Sequence, residues 1–464
     1  MLSQPEKTAK YEQCIEFSKS DPNKALQLAL ELLDSDPDDA MAMFQASKIL
    51  LDQNRKGLAY NLMARAVKQR PDIPEMWIQY GQAHGETPEQ WGKAEWCYRK
   101  AIKTGAKIDK DMVLAKECIG TLEYLRGDYD KAIEYMDEAI KTRPESVNAR
   151  STKAFCHLAK HEWTQGWKEY ESMLGKRREA YAYGDEPEWD GTPGKRLIIS
   201  GEQGIGDEIM YASCFNDVLE MSPHVVVECM PRLEKLFKRS FPGLAAVYGS
   251  RWDNHVVWGE DHAPDAHVAM ASLPKHLRNK DEDFPGTPYL RPDPDIVDAV
   301  KGLLSPLGAK PNIGIAWTGG SDRTRGHLRT RTLEELTPVL RTPGVNWISL
   351  EYYNRDQEIG EYHSNRGVPI HVYEWLTARG LDYDLTAALI SQLDLVISVP
   401  TTGVQVAGGL GVETWCIVPK HTGWMFAGET YPWAKSVHAF QNPPMKDLED
   451  KLKQWLLDRD VKAA

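Results

Sequence analysis

Up to about residue 175 the apolar positions follow a helical period, and small residues return at fixed intervals along it. Pro37 and Pro71 stand 34 residues apart. Counting back from Pro71, small residues fall at Ala66, Ala59 and Ala46, and counting back from Pro144 they fall at Ala139, Ala132 and Gly120. Trp77, Tyr80, Gly81, Ala94 and Ala101 make a further unit displaced by one residue. Pro22 with Ala25 suggests a degenerate first unit, and Ala154, Gly166 and Tyr170 a last one. Small residues at these places let the two helices of a unit pack closely, where bulk would wedge them apart. Unrelated helices with chance alanines would not also share the period and the terminal proline.

After YGDEPEWDGTPGK the pattern changes to short apolar runs alternating with helical stretches. RLIIS (196–200), HVVVECM (224–230), NIGIAW (312–317), NWISLE (346–351), PIHVY (369–373), LDLVISV (393–399) and VETWCIV (412–418) read as strands. YASCFNDVLEM, LEELTPVL, LTAALISQL and GVQVAGGLG read as helices. Strands alternating with helices predict parallel sheets covered on both faces. DIVDAVKGLLSPLGAKP, ahead of the strand at Asn312, marks a boundary between two such sheets. The expected organisation is an α-solenoid over 1–178 followed by two α/β doubly wound domains, 179–300 and 301–464.

Composition narrows the function classes. With 464 residues, 42% hydrophobic and 27% charged, the chain can bury sizeable cores in two or three domains. A formal charge of −12 argues against sequence-independent nucleic-acid binding. The seven cysteines are scattered without a CxxC pair, which argues against a disulfide framework or a zinc site. No run is long enough to span a bilayer, and MLSQPEKTAKYEQ lacks the apolar centre of a signal peptide, so the expected compartment is the cytoplasm.

Three loops at strand ends carry candidate chemistry. In GEQGIGDEIMY (201–211), Gly204 and Gly206 permit close approach of a ligand or simply serve the turn. Asp207 in that loop either accepts a proton from a substrate hydroxyl or caps the following helix, and Glu208 stands beside it. The stretch lacks GK[ST] and has Ile209 in place of a third glycine, so it is neither a P-loop nor a dinucleotide fingerprint, and a nicotinamide-dependent oxidoreductase is a distant reading. In AWTGGSDRTRGHLRTRTLEEL (316–336), Arg323, Arg325, Arg329 and Arg331 crowd together after Trp317 and Gly319. They suit a diphosphate, or a solvated loop pairing with nearby acids. In VISVPTTGVQVAGGLG (396–411), Thr401, Thr402 and Gly403 open a small-residue helix whose N–H groups can hold a phosphate without metal. A tightly packed crossover helix would need the same residues.

The first region resembles the tetratricopeptide family over roughly residues 7–175. GKRLIISGEQGIGDEIMYAS, GIAWTGG with its arginines and TLEELTPVL, and LTAALISQLDLVISVPTTGVQVAGGLGVETWCIVP resemble, in this order, bacterial and phage tetratricopeptide-linked glycosyltransferases. WTQGWKEYES (163–172) resembles the end of the repeat array in those proteins. They are related to the heptosyltransferases and, in domain order, to the O-linked N-acetylglucosamine transferases. The resemblance implies a GT-B fold of two Rossmann-like domains and metal-independent, inverting transfer from a nucleoside-diphosphate sugar, with no cofactor or metal. It places the catalytic base on Asp207, beside Gly204, Gly206 and Glu208 on the acceptor side. It places donor phosphates among Arg323, Arg325 and Arg329 and at Thr401, Thr402 and Gly403, with Trp317, Gly319 and Gln405 nearby. The strand end Leu350 to Tyr352, including Glu351, is the candidate base-and-ribose contact. The repeats would present a protein, peptide or glycan acceptor. Where the family often has aspartate and histidine, this chain has Pro400 and Gln405, which supports a rival reading: a repeat scaffold with a non-catalytic nucleotide- or glycan-binding domain.

Overall fold

The computed structural model describes residues 3–105, 109–178, 186–251, 262–320, 326–377, 382–419 and 423–463. The chain falls into two compact units, Met1–Cys156 and His157–Ala464.

The first unit is a TPR-like helical solenoid. Its helices are α1 (Gln4–Ser20), α2 (Pro22–Ser35), α3 (Ala40–Asp52), α4 (Lys56–Gln69), α5 (Pro74–His84), α6 (Trp91–Thr104), α7 (Asp109–Arg126), α8 (Tyr129–Thr142) and the start of α9 (Val147–Ala159). They pack as consecutive pairs, α1 on α2, α3 on α4, α5 on α6 and α7 on α8. The expected small residues sit in those seams: Ala46, Ala59, Ala66, Ala94, Ala132 and Ala139 are all fully buried. A side-chain carbon on Gly81 would run into the Tyr98 ring, and one on Gly120 would come within 2.7 Å of Met136 and 3.0 Å of Tyr135. Asp39 caps α3 by accepting from Met41 N and Ala42 N, each at 3.1 Å, and Asp128 caps α8 through Lys131 N at 3.2 Å.

The second unit opens with α10 (Trp163–Arg178), so the division between units falls ahead of residue 178. Aromatic packing holds α10 there. Trp163 meets Phe284 at 4.6 Å between ring centroids, and Trp167 meets Trp424 at 5.7 Å and Trp433 at 6.3 Å. Trp167 Nε1 also donates to Arg278 O at 2.7 Å.

Two wholly parallel sheets follow. The first contains β1 (Arg196–Ser200), β2 (His224–Glu228), β3 (Ala246–Tyr248) and β4 (Ala266–Ala269), in the order β3-β2-β1-β4. It carries α11 (Ile205–Tyr211), α12 (Phe215–Met221), α13 (Glu234–Ser240) and α14 (Leu273–Leu277). The chain then crosses by Phe284–Tyr289 to α15 (Pro294–Leu304), which packs on the second sheet's helix α18 (Tyr383–Ile390).

The second sheet contains β5 (Asn312–Ala316), β6 (Asn346–Ser349), β7 (Ile370–His371), β8 (Leu395–Ser398), β9 (Thr414–Val418) and β10 (Val437–Gln441), in the order β10-β9-β8-β5-β6-β7. Counted from β5, that is the 3-2-1-4-5-6 order of doubly wound nucleotide-binding folds. Its remaining helices are α16 (Thr337–Leu340), α17 (Asp356–Arg366), α19 (Thr402–Leu410) and α20 (Met445–Ala463). Ile313, Ile315, Trp317, Leu395, Ile397, Trp415 and Ile417 share one face and form a single core with residues of α16, α17 and α20.

All seven strands expected from the sequence are present, and β3, β4 and β10 go beyond them. β3 and β4 are three and four residues long, and β10 alternates buried with exposed positions, so none makes an apolar run. LEELTPVL is helical only from Thr337, because Pro338 has no N–H to continue a helix from upstream. Among the described residues, no helix is long and apolar enough to cross a membrane.

Candidate functional site

In doubly wound sheets, ligands bind beyond the carboxyl ends of strands where the strand order reverses. In the second sheet this point lies between β5 and β8. The loop after β5 carries Trp317 and Gly319, and the loop after β8 carries Thr401. The first sheet reverses between β1 and β4, and the loop after β1 is GEQG. Helix α11 packs against α19, and a side-chain carbon on Gly206 would lie 3.2 Å from Thr402 Oγ1. Two of the three sequence-marked loops therefore touch across the two sheets. The third shares the switch point with one of them.

The two carboxylates of the first loop have separate fates. Asp207 Oδ2 accepts from Gly204 N at 2.9 Å, which caps the start of α11. Its charge also reaches the buried pair Tyr170 and Tyr211, whose hydroxyls are 3.0 Å apart. Burial first holds both phenols above their usual range, with Asp207 next for Tyr170, and Tyr170 and then Asp207 for Tyr211. Glu208 is fully buried and so does not open onto the loop mouth, which corrects its expected place on the acceptor side. It pairs with buried Arg251 and accepts from Met230 N at 2.8 Å. Burial pushes its pKa up, against the pull of Arg251 and that N–H. Gly201 makes this possible, because a side-chain carbon there would sit 2.7 Å from Glu208 Oε1 and 2.9 Å from Glu228 O.

The β5 loop is braced from within. Trp317 is fully buried, with Nε1 donating to Glu358 at 3.1 Å, so its ring belongs to the core. Glu351 Oε1 accepts from Trp317 N at 2.6 Å and Thr318 N at 2.8 Å, and Oε2 accepts from the Thr318 hydroxyl. The expected base-and-ribose residue is thus a loop anchor, and burial raises its pKa in spite of those donors. A side-chain carbon on Gly319 would collide at 2.5 Å with both Arg329 Cβ and Gly326 O. Arg329 donates to Gly319 O from Nε at 3.1 Å and Nη2 at 2.5 Å, fastening the loop on itself. Arg323 and Arg325 lie outside the described residues.

The β8 loop delivers Thr401 as the N-cap of α19, with its hydroxyl 3.2 Å from Ser398 Oγ. Thr402 and Gly403 begin the helix, where the first N–H groups lack intrahelical acceptors. Gln405 is 8% exposed, and its Oε1 has no partner among the described residues.

Sequence reasoning missed Arg232 and Tyr383, which stand beside Tyr352 of the expected strand end. Arg232, just past β2, donates to Tyr352 OH at 3.2 Å and lies 5.3 Å from the Tyr383 ring centre. Burial raises the Tyr383 pKa, and the nearby Arg232 charge and Thr402 side chain oppose that rise. A cation from the first sheet thereby reaches two tyrosines of the second. Below it, Lys235 pairs with Asp382 at 2.9 Å, and Arg239 pairs with fully buried Asp384 at 2.6 Å and with Asp293 at 2.7 Å. The one available signal was an arginine directly beyond the apolar run HVVVECM.

No family model matches the chain. Protein FlbA of Caulobacter vibrioides is 27% identical over 440 residues, which cover 87% of this chain and 70% of FlbA. Solved structures similar to the repeat region include MamA from Desulfovibrio magneticus (15% identity, TM-score 0.32, 37% of this chain and 96% of that one). A thermophilic tetratricopeptide protein of Thermus thermophilus is 16% identical with a TM-score of 0.32, covering 37% of this chain and 92% of its own. These scores carry no argument by themselves, and the solenoid is established by its own helix pairs.

Proposed function

We propose that the second unit is a metal-independent, inverting glycosyltransferase that takes a nucleoside-diphosphate sugar, with the repeats selecting a protein, peptide or glycan acceptor. The observation that supports it most is the contact of Gly206 with Thr402. It sets the glycine loop of one parallel sheet against a helix N-terminus at the switch point of the other. A diphosphate would lie on the Thr401–Gly403 helix start, with Arg329 and Arg232 on either side. Asp207 would accept the proton of the acceptor hydroxyl as that oxygen attacks the anomeric carbon and the nucleoside diphosphate leaves.

The test is melting of the purified protein with nucleoside diphosphates and nucleotide sugars, without added metal. A ligand at a hundred times its Kd stabilises by about 2.7 kcal/mol. The shift is expected with one nucleotide class and is expected to vanish in Gly206→Val, whose side chain would press on Thr402. Asp207→Asn, which keeps a capping oxygen, is expected to melt like the parent and lose turnover. Full turnover would remove Asp207 from the chemistry.

The bond from Gly204 N to Asp207 favours a second reading, a non-catalytic nucleotide- or glycan-binding scaffold in which that carboxylate only caps a helix. It predicts the same nucleotide shift with neither donor hydrolysis nor transfer.

A further inference from the structure

Between β1 and α11 the chain makes a turn that an ordinary side chain resists. Gln203 has a φ of 63°, in the left-handed region, where a Cβ crowds the backbone and glycine would sit without that cost. Gly201 and Gly204 stand close by, yet this position carries a glutamine. Strain of this kind persists only where the surroundings hold it, and it gathers at functional loops.

Two side chains from outside the loop hold this turn. Arg251 Nη2 donates to Gln203 O at 2.6 Å, while Nη1 of the same group pairs with Glu208. Gln203 Nε2 donates to the Tyr170 hydroxyl. That hydroxyl also lies 3.0 Å from the hydroxyl of Tyr211, the last residue of α11. Gln203 and Tyr211 stand four positions before and four positions after Asp207. One buried oxygen therefore grips both ends of the segment that carries the carboxylate. Tyr170 is itself well anchored: its ring meets Trp167 at 5.7 Å and Trp424 at 6.4 Å between centroids, within the aromatic packing that fixes α10.

We propose that Tyr170 is a positioning residue for Asp207, acting through Gln203. Its hydroxyl keeps Gln203 in the left-handed turn, and the turn places the Gly204 N–H that Asp207 accepts from at 2.9 Å. Asp207 N and Glu208 N both donate to Gly204 O, at 3.0 and 3.1 Å, so a relaxed turn would carry the carboxylate with it. A glycine at 203 would take the turn freely but could not reach α10, which accounts for a glutamine at a strained position. The clamp is a property of the loop. Its consequence for turnover rests on the transferase reading above, in which a displaced base slows the chemical step.

The test is hydrogen exchange over residues 201–211 of the full chain, in a cycle of Tyr170→Phe, Gln203→Ala and the double variant. Each single change removes one end of the bond and is expected to speed exchange in this segment by roughly fivefold. The double variant is expected to be no faster than either single one, with exchange in β5–β9 as in the parent. If the Tyr170 hydroxyl served packing alone, its loss would add to that of Gln203→Ala. Gln203 is half-buried on a loop, so its variant decides the matter if Tyr170→Phe does not fold. In transfer assays both variants are expected to lower kcat by up to about a hundredfold and to leave the KM for the nucleotide sugar unchanged, because the donor lies on the second sheet. Unchanged exchange in Gln203→Ala, additive effects in the double variant, or full kcat in a variant whose loop exchanges faster would each overturn the proposal. A parent that transfers nothing would sink the transferase reading, and the exchange cycle would still decide the clamp.

Discussion

The two units solve the packing problem over different distances along the chain. In the solenoid, each helix closes on its neighbour, as Gly81 does on Tyr98 and Gly120 on Met136. In the two-sheet unit, the decisive contacts join residues far apart: Glu208 with Arg251 over 43 positions, Trp163 with Asp281 over 118 and Arg239 with Asp384 over 145. Small residues decide the first unit, and buried charges decide much of the second. A periodic fold repeats one local solution, whereas a doubly wound pair must fix its sheets with a few specific long-range bonds.

Substitutions that separate the two modes test this contrast. The largest effect is expected from Glu208→Ala, which takes the Glu208 carboxylate away from buried Arg251. Removing one partner of a buried pair costs about 3–5 kcal/mol. In a denaturant titration the loss should fall on the two-sheet unit, and hydrogen exchange in α1–α8 should stay as it was; a uniform loss would mean that the units unfold together. Gly81→Ala in the solenoid should cost about 1–3 kcal/mol by overpacking against Tyr98. Faster exchange confined to α5, α6 and their neighbours would confirm that the damage is local, and spread into the sheets would break the comparison.

A smaller step is Asp39→Ala, which removes the cap of α3 for about 1 kcal/mol. Asp207→Asn, in the first turn of α11 where the side chain bonds back to the N-cap Gly204 N, should cost less because asparagine keeps an accepting oxygen, so comparing the two melting shifts sharpens the difference between a purely structural cap and a candidate base. The smallest effect is a pH slope. His84 is buried in the solenoid, and burial holds its pKa below the usual histidine value in spite of Gln90. The unfolded chain then binds more protons, so this stabilisation is complete above about pH 6.5 and is lost as the pH falls towards the folded value. His84→Gln should flatten that acid-side slope in melting temperature; an unchanged slope would assign it to other groups.

What could be read in advance follows the same division. The solenoid was legible because Ala59, Ala66, Ala94 and Ala132 serve contacts within one repeat, and a local contact leaves a local period. Strands β5, β8 and β9 were legible because burial on both faces makes an unbroken apolar run. β10 was not, because it alternates buried with exposed positions. Among the site residues, Gly206, Thr401 and Thr402 were marked by strand-end position, which sequence carries. Arg232 and Tyr383 were not, because each gains its place only from a partner on the other sheet.

Sequence alone determined the repeat period, the alternation of strands and helices, and the loops that stand at strand ends. These depend on backbone periodicity and on residues a few positions apart. Only the tertiary structure decided that Glu208 turns inward to Arg251, that Glu351 anchors the β5 loop, and that Gly206 meets Thr402. The reason is physical: the environment of a buried charge is set by segments brought together through folding, and the pattern of its neighbours in the chain does not record them.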